Sequence, residues 1–439
     1  MKKYDSYKSS DIEWIGVIPE HWTKSKFKYV TQLFTGNSLN DEQKLQYESD
    51  NIDDIPYVSS KDINLDFRSV NYFNGQRIPK ENNPLKISPK GSFLLCVEGG
   101  SSGRKMVFLD RDVCFVNKLC SFYSVQNTKF QYYFIQSSNF QNKFKFSLTG
   151  LIGGVSISTL KDFDLPLPPL HEQEQIVNYL DEKTTIIDKL ISTKQRKVEL
   201  LKEHRTTLIN QVITKGLNPN VKMKDSGVEW IGDIPEHWTS LGFTKIIKIR
   251  HGYQFREYDF TDSGIKIIKI TQLDRDGFLN LENCSFIDKN RIDEFERIMI
   301  YQDDVLMCLT GGTIGKIIKV GEVNEPLIQN YRVGHFSPLN NKILNDYIFW
   351  FMTSPLTTSQ MFSEIRETGQ PNIGMEDFGK MKVMLPTISE QEEIIDFLVI
   401  KTKEIDDLVS MEQKKIELLK EYRQSLISEV ITGKIKIVK

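Results

Sequence analysis

The amino-acid sequence predicts an α+β protein in which two pseudo-symmetric mixed domains are joined by two long helices forming an antiparallel coiled coil. Three observations predict it. The segment Glu13-Trp14-Ile15-Gly16-Val17-Ile18-Pro19-Glu20-His21-Trp22 returns as Glu229-Trp230-Ile231-Gly232-Asp233-Ile234-Pro235-Glu236-His237-Trp238. Residues 172–214 and 390–432 align without gaps and are identical at 24 of 43 positions. The stretches between these duplicated segments, 23–163 and 239–378, share little. A period of half the chain with only two copies argues against a solenoid and for two homologous domains on one scaffold.

Each Trp-Ile-Gly-x-Ile-Pro-Glu-His-Trp segment combines a Gly, a Pro and two aromatics. That composition suits a turn that pins the start of a domain onto its core. His21 and His237 invite a catalytic reading, but no carboxylate, Cys or Ser at motif spacing supports it. A structural turn is therefore favoured. The bodies that follow carry β-rich runs such as 91–97 and 265–270, and helical stretches near 132–146 and 345–362. Each body reads as mixed α+β. One fragment survives between them: residues 94–104 align with 306–316, giving a Gly-rich hairpin in each.

After Pro169 the chain has no Gly or Pro until Gly216. Ile187, Leu190, Val198, Leu201, Leu208 and Val212 fall at helical spacing there. In the second copy Ile405, Leu408, Ile416, Leu419, Leu426 and Val430 do the same. Polar residues fill the other positions, so each helix carries an apolar stripe. A helix of about 43 residues would be about 65 Å long, more than a single body can cover. Mutual burial of the two stripes is the economical solution, and these residues are the candidates for it.

Composition narrows the function classes. The chain has 439 residues, 39% hydrophobic and 26% charged, as in a soluble globular protein of more than one domain. A net charge of −2 excludes a uniformly basic nucleic-acid coat but allows a basic groove balanced elsewhere. No run of about 18 apolar residues predicts a membrane span, and the N-terminus lacks the apolar core of a signal peptide. The five cysteines, Cys96, Cys114, Cys120, Cys284 and Cys308, form no Cys-x-x-Cys pair and read as small buried residues.

Catalytic motifs are missing. Gly311-Gly312-Thr313-Ile314-Gly315-Lys316-Ile317 resembles a phosphate-binding loop, but Thr310 replaces its first Gly and Ile317 its Ser/Thr. No dinucleotide fingerprint, methyltransferase Asn-Pro-Pro-Tyr string or metal-spaced His/Cys cluster occurs. Two related but divergent bodies on a rigid spacer suit the reading of two different things a fixed distance apart. DNA fits that geometry, since half-sites on one face lie about 34 Å apart. The hairpins carry Arg104, Lys105 and Lys316, which with loop N–H groups suit phosphate contact. Lys118, Arg250, Gln254, Gln329, Asn330 and Arg332 complete the candidate DNA-binding set, the Arg, Gln and Asn side chains being of the type that reaches base edges. Arg77, Lys80, Lys86 and Lys90, and Lys245, Lys248, His251 and Arg256, add local positive charge.

The layout resembles the specificity subunit of a type I restriction–modification enzyme. The doubled tryptophan segment carries the resemblance, with Leu165-Pro166-Leu167-Pro168-Pro169-Leu170-His171-Glu172-Gln173, its copy over 385–391, and the long repeated helices. The family's late Thr-Gly motif stands at Thr149-Gly150 and Thr368-Gly369. The second copy departs from the first in having Leu385-Pro386-Thr387 in place of a double Pro. The resemblance implies two target-recognition domains, 1–169 and 217–386, each reading half of a split site in double-stranded DNA. It implies that the helices 170–216 and 387–439 set the unspecified spacer. It implies a non-catalytic, cytoplasmic chain with no cofactor of its own and no membrane association. Two modification subunits would carry S-adenosylmethionine, and restriction subunits would add ATP- and Mg-dependent translocation and cleavage. The rival expectation is a coiled-coil scaffold whose bodies bind proteins instead of DNA.

Overall fold

The computed structural model describes residues 2–437 except 50, 66–67, 82, 125, 151–152, 229–230, 275–278 and 365–371. The chain divides into two compact units, Met1–Arg196 with Glu412–Lys439, and Lys197–Met411. Each unit therefore holds one body, the front of one long helix and the back of the other.

In the first unit a hairpin-like pair, Tyr7–Ser9 with Val17–Pro19, frames the tryptophan turn. One four-stranded antiparallel sheet runs in the order Thr31–Thr35, Leu119–Ser124, Phe93–Cys96, Met106–Phe108. A second runs in the order Arg77–Ile78, Ile55–Val58, Val113–Phe115, Ile87–Ser88, with its two middle strands parallel. The strand Phe93–Cys96 explains why its sequence is apolar without alternation. Phe93 and Leu95 face one core, Leu94 and Cys96 another, and all four are buried. Finally Thr23–Lys26 pairs with Asp164–Leu167. The body thus leaves beside the point where it began, and the long helix starts there. Pro166 is accommodated because this sheet has only two strands, both of them edges.

The second unit repeats this plan. Its sheets run Ile247–His251, Val333–Pro338, Val305–Cys308, Ile317–Lys319, and Ser285–Ile287, Ile265–Ile268, Leu327–Gln329, Met299–Ile300. Again two middle strands of the second sheet are parallel, Ile265–Ile268 with Leu327–Gln329. Again a strand pair, Thr239–Gly242 with Lys382–Leu385, closes the body. Val305 and Met307 face one core, Leu306 and Cys308 another.

The helical stretch read near 132–146 is two helices, Thr128–Gln136 and Ser138–Phe146. Ser137 breaks it: its backbone is extended, and its hydroxyl donates to Phe134 O at 2.7 Å and accepts from Phe140 N at 3.2 Å. Ser354 splits the corresponding stretch into Asn345–Thr353 and Pro355–Glu364 in the same way, donating to Phe351 O at 2.8 Å.

The first long helix is Leu170–Lys215 and the second Ile388–Ile431. The second ends eight residues short of the 439 read from sequence. Gly433, with φ +75°, sits where a helix commonly turns left-handed. A Cβ there would meet Pro19 Cδ at 2.4 Å and the Trp22 ring at 3.1 Å. Gly216, φ +70°, ends the first helix and lies 3.1 Å from the Trp238 ring by the same measure. Each tryptophan turn thus packs against the glycine that ends a long helix. The missing double Pro of the second copy has a local substitute. Thr387 Oγ1 accepts from Glu390 N at 3.3 Å, and Glu390 Oε2 accepts from Thr387 N at 3.1 Å, a reciprocal cap.

Candidate nucleic-acid interface and its framework

The Gly-rich hairpins superpose in role with one adjustment to the sequence alignment. Cys96 N donates to Lys105 O at 2.8 Å, and Cys308 N to Lys316 O at 2.9 Å. Lys105, not Arg104, is therefore the partner of Lys316, and Arg104 is an extra residue in the first hairpin. Both lysines reach a carbonyl of a neighbouring body loop: Lys105 Nζ to Ser60 O at 2.6 Å, Lys316 Nζ to Leu273 O at 2.5 Å. Their charge is tied to loop placement. Arg104 is exposed and donates to Gly100 O. Lys118 is half-exposed, 4.0 Å from Glu98.

The remaining candidates separate into two groups. Gln254 and Arg332 are exposed, and Arg332 Nε donates to the Tyr331 hydroxyl at 2.8 Å. Gln329 is fully buried, with Nε2 donating to Arg250 O at 2.9 Å and to Val333 O at 2.6 Å. Its Oε1 accepts from Arg250 Nε at 3.0 Å, and Arg250 Nη2 donates to Met299 O at 2.8 Å. Burial pushes the Arg250 guanidinium below its ordinary value. Asn330 is buried, and its Oδ1 accepts from Arg332 N at 3.2 Å. In this conformation Arg250, Gln329 and Asn330 hold the loop from which Arg332 projects. Arg77 is likewise buried, donating to Ile52 O, Asp54 O and Tyr72 O.

Thr149-Gly150 lies in an open cavity of about 600 Å³ with Thr35, Glu98, Asn117 and Ser156 on its wall. Thr368-Gly369, and Glu229-Trp230 of the second tryptophan segment, lie outside the described residues.

The tryptophan turns are anchored by a pair that sequence spacing did not suggest. His21 Nε2 meets Glu172 Oε2 at 2.8 Å, and His237 Nε2 meets Glu390 Oε1 at 2.7 Å. Glu172 also accepts from the Tyr4 hydroxyl, and Glu390 from Trp238 Nε1 at 3.3 Å. Burial alone would raise the Glu390 carboxyl, but hydrogen bonds from His237, Thr387 and Trp238 outweigh it and hold it below the usual range. The signal was available: each partner lies in a different duplicated segment, and both partners are retained in both copies. The histidines are latches, each fastening a turn to the first turn of a long helix in its own unit.

Within each unit the two long helices run antiparallel. In the first, Arg423 donates to Asp188 at 2.8 and 3.1 Å, and Lys194 meets Glu412 at 2.8 Å. In the second, Arg205 meets Asp406 at 3.0 Å. Ile187, Val198, Ile405 and Leu426 are buried. Leu201, Leu208, Ile416 and Leu419 are partly buried. Leu190 and Leu408, the same position in the two copies, are exposed instead, and Ile191 and Val409 beside them are buried. A one-residue step turns a side chain by about 100° around the helix, enough to move it off the seam.

Among the described residues no group of three or more His, Cys, Asp or Glu is placed to hold a metal ion. No helix there is long and apolar enough to cross a membrane. Burial pushes the thiols of Cys114 and Cys120 up to about 11 and about 12, so both are protonated at neutral pH.

One framework holding two different bodies defines a duplicated recognition scaffold. Residues 19–200 and 235–421 match the type I restriction modification DNA specificity domain, and the chain belongs to this family as a specificity subunit with two target-recognition domains. The type I restriction enzyme MjaVIII specificity subunit of Methanocaldococcus jannaschii is 28% identical over 434 residues, spanning 96% of this chain and 94% of that one. The EcoKI specificity subunit of Escherichia coli K12 is 25% identical over 402 residues, spanning 87% and 82%. Among solved structures, a chain from a type I R-M system studied for complex assembly and conformational transition matches with a TM-score of 0.71 at 14% identity, over 95% of this chain and 99% of that one. The HsdS subunit of Thermoanaerobacter tengcongensis matches with 0.50 at 12%, over 95% and 98%.

Proposed function

We propose that each body reads one half of a bipartite site in double-stranded DNA, that the paired helices fix the spacer, and that the chain itself is non-catalytic and works in the cytoplasm. The observation that carries this reading is the contrast between two bodies of one sheet topology and their divergent sequences, hung on a duplicated framework. Arg104, Lys118, Gln254 and Arg332, the exposed or half-exposed candidates, are the side chains proposed to reach DNA, with Lys105 and Lys316 placing the hairpins. Two modification subunits, carrying S-adenosylmethionine, dock on the helices. Leu190 and Leu418 are exposed in the first unit, and their counterparts Leu408 and Leu200 in the second, so each unit offers the same apolar pair once. Restriction subunits supply the ATP- and Mg-dependent steps.

Methylome sequencing of a host expressing this chain with its modification subunit tests the reading. A bipartite methylated-adenine motif present only with this chain is expected, and exchanging the bodies should exchange its halves. Four residues inserted after Ile187, about one helical turn, should lengthen the spacer. Absence of new methylation beside an active modification subunit would favour a protein-binding scaffold.

A further inference from the structure

The two long helices are so alike that each could pair with its own kind in a second molecule. The ionic contact that flanks the crossing on either side would survive such a switch. Asp188 and Arg423 correspond to Asp406 and Arg205 in the other copy, so the Asp188–Arg423 and Arg205–Asp406 bonds are one contact with the helices exchanged. Two first helices would keep it as Asp188 with Arg205, and two second helices as Asp406 with Arg423.

Lys194 is different. Its counterpart in the second copy is Glu412, and Glu412 is the residue it touches, at 2.8 Å. It is a position that meets its own copy. Like-with-like pairing would set Lys against Lys in one case and Glu against Glu in the other. Solvent screens little of this, because the Glu412 side chain is 4% exposed and that of Lys194 26%. Lys415, 3.4 Å from Glu412, is an additional cation facing the same carboxylate.

We propose that Lys194–Glu412 is the partner-selecting contact of the helix pair: it makes the first helix accept the second and reject its own kind in another copy of this chain. Buried polar pairs serve this purpose where apolar stripes alone cannot discriminate, because the wrong pairing leaves like charges facing each other.

Full-length chains test it. Alone, K194E puts two acids at the crossing and E412K two bases, so either should melt below the native protein. Expressed together, complementary charges are available only between chains. Tagged K194E should then retain untagged E412K about tenfold more than tagged native retains untagged native, the ratio for a coupling of about 1.4 kcal/mol. The exchanged variant K194E/E412K should melt well above either single variant, short of native only by the Lys415 contact it loses, and sediment as native does. No rise in retention, or an exchanged variant as unstable as the singles, overturns the proposal. If neither single variant folds, the exchanged variant decides alone: recovered folding supports the contact, and failure rejects it.

Discussion

Trp22 and Trp238 stand in turns of nearly one sequence, and both are fully buried against a helix-ending glycine. A few residues further on, the two bodies build the same pair of four-stranded sheets from sequences that share little. The difference follows the kind of contact made. A turn fastened by a His–Glu bond and an indole against a glycine tolerates few substitutes. A strand core needs only apolar side chains of suitable volume, so its identity drifts while its topology stays.

Removing the shared indoles breaks the comparison most severely. Trp22→Ala and Trp238→Ala should each lower unfolding free energy by about 3–5 kcal/mol in denaturant titration. Similar losses in the two would confirm that both turns do the same job. Next comes the helix pair. Arg423→Ala removes a guanidinium almost buried against Asp188 and should cost about 1–3 kcal/mol. The more exposed Arg205–Asp406 copy should cost less than about 1 kcal/mol.

The latches sharpen the comparison. The Glu172 side chain is 3% exposed and that of Glu390 31%. Glu172→Gln should therefore cost about 1–3 kcal/mol and Glu390→Gln about 1 kcal/mol. The folded Glu390 carboxyl lies below its ordinary value, so its contribution is present above the unfolded pKa of about 4.3 and lost as pH falls through the folded one. The stability gap between native and Glu390→Gln proteins should accordingly close on acidification below about pH 4, as melts at stepped pH would reveal. Arg104→Ala should change stability by less than about 0.5 kcal/mol. Yet it should weaken DNA binding and reduce the log–log salt slope by about 0.9, measured by fluorescence anisotropy at several salt concentrations.

Much of the framework was legible because it is written twice. Duplication exposed the tryptophan turns and both long helices, and the Gly/Pro-free run located the first helix end at Lys215 beside Gly216. The latch partners went unseen because His21 and Glu172 are 151 residues apart, beyond any spacing rule. The twin sheets went unseen because their strands are only two to six residues long and the central ones are buried on both faces, which leaves little alternation to detect. Of the DNA-reading candidates, residue type alone could not separate exposed Arg332 from Gln329, whose amide is spent inside the loop.

The strand pairs Thr23–Lys26 with Asp164–Leu167, and Thr239–Gly242 with Lys382–Leu385, carry one more consequence. Their ladders are main-chain hydrogen bonds, indifferent to the side chains they join. Each body is therefore a cassette with adjacent terminals, clipped into its holder at the two ends and seated on the long helices by its own side chains, as Lys129 and Tyr133 are on Asp181 and Gln136 is under Arg423. A replacement body has to bring its two ends together and also supply its own seats on those helices.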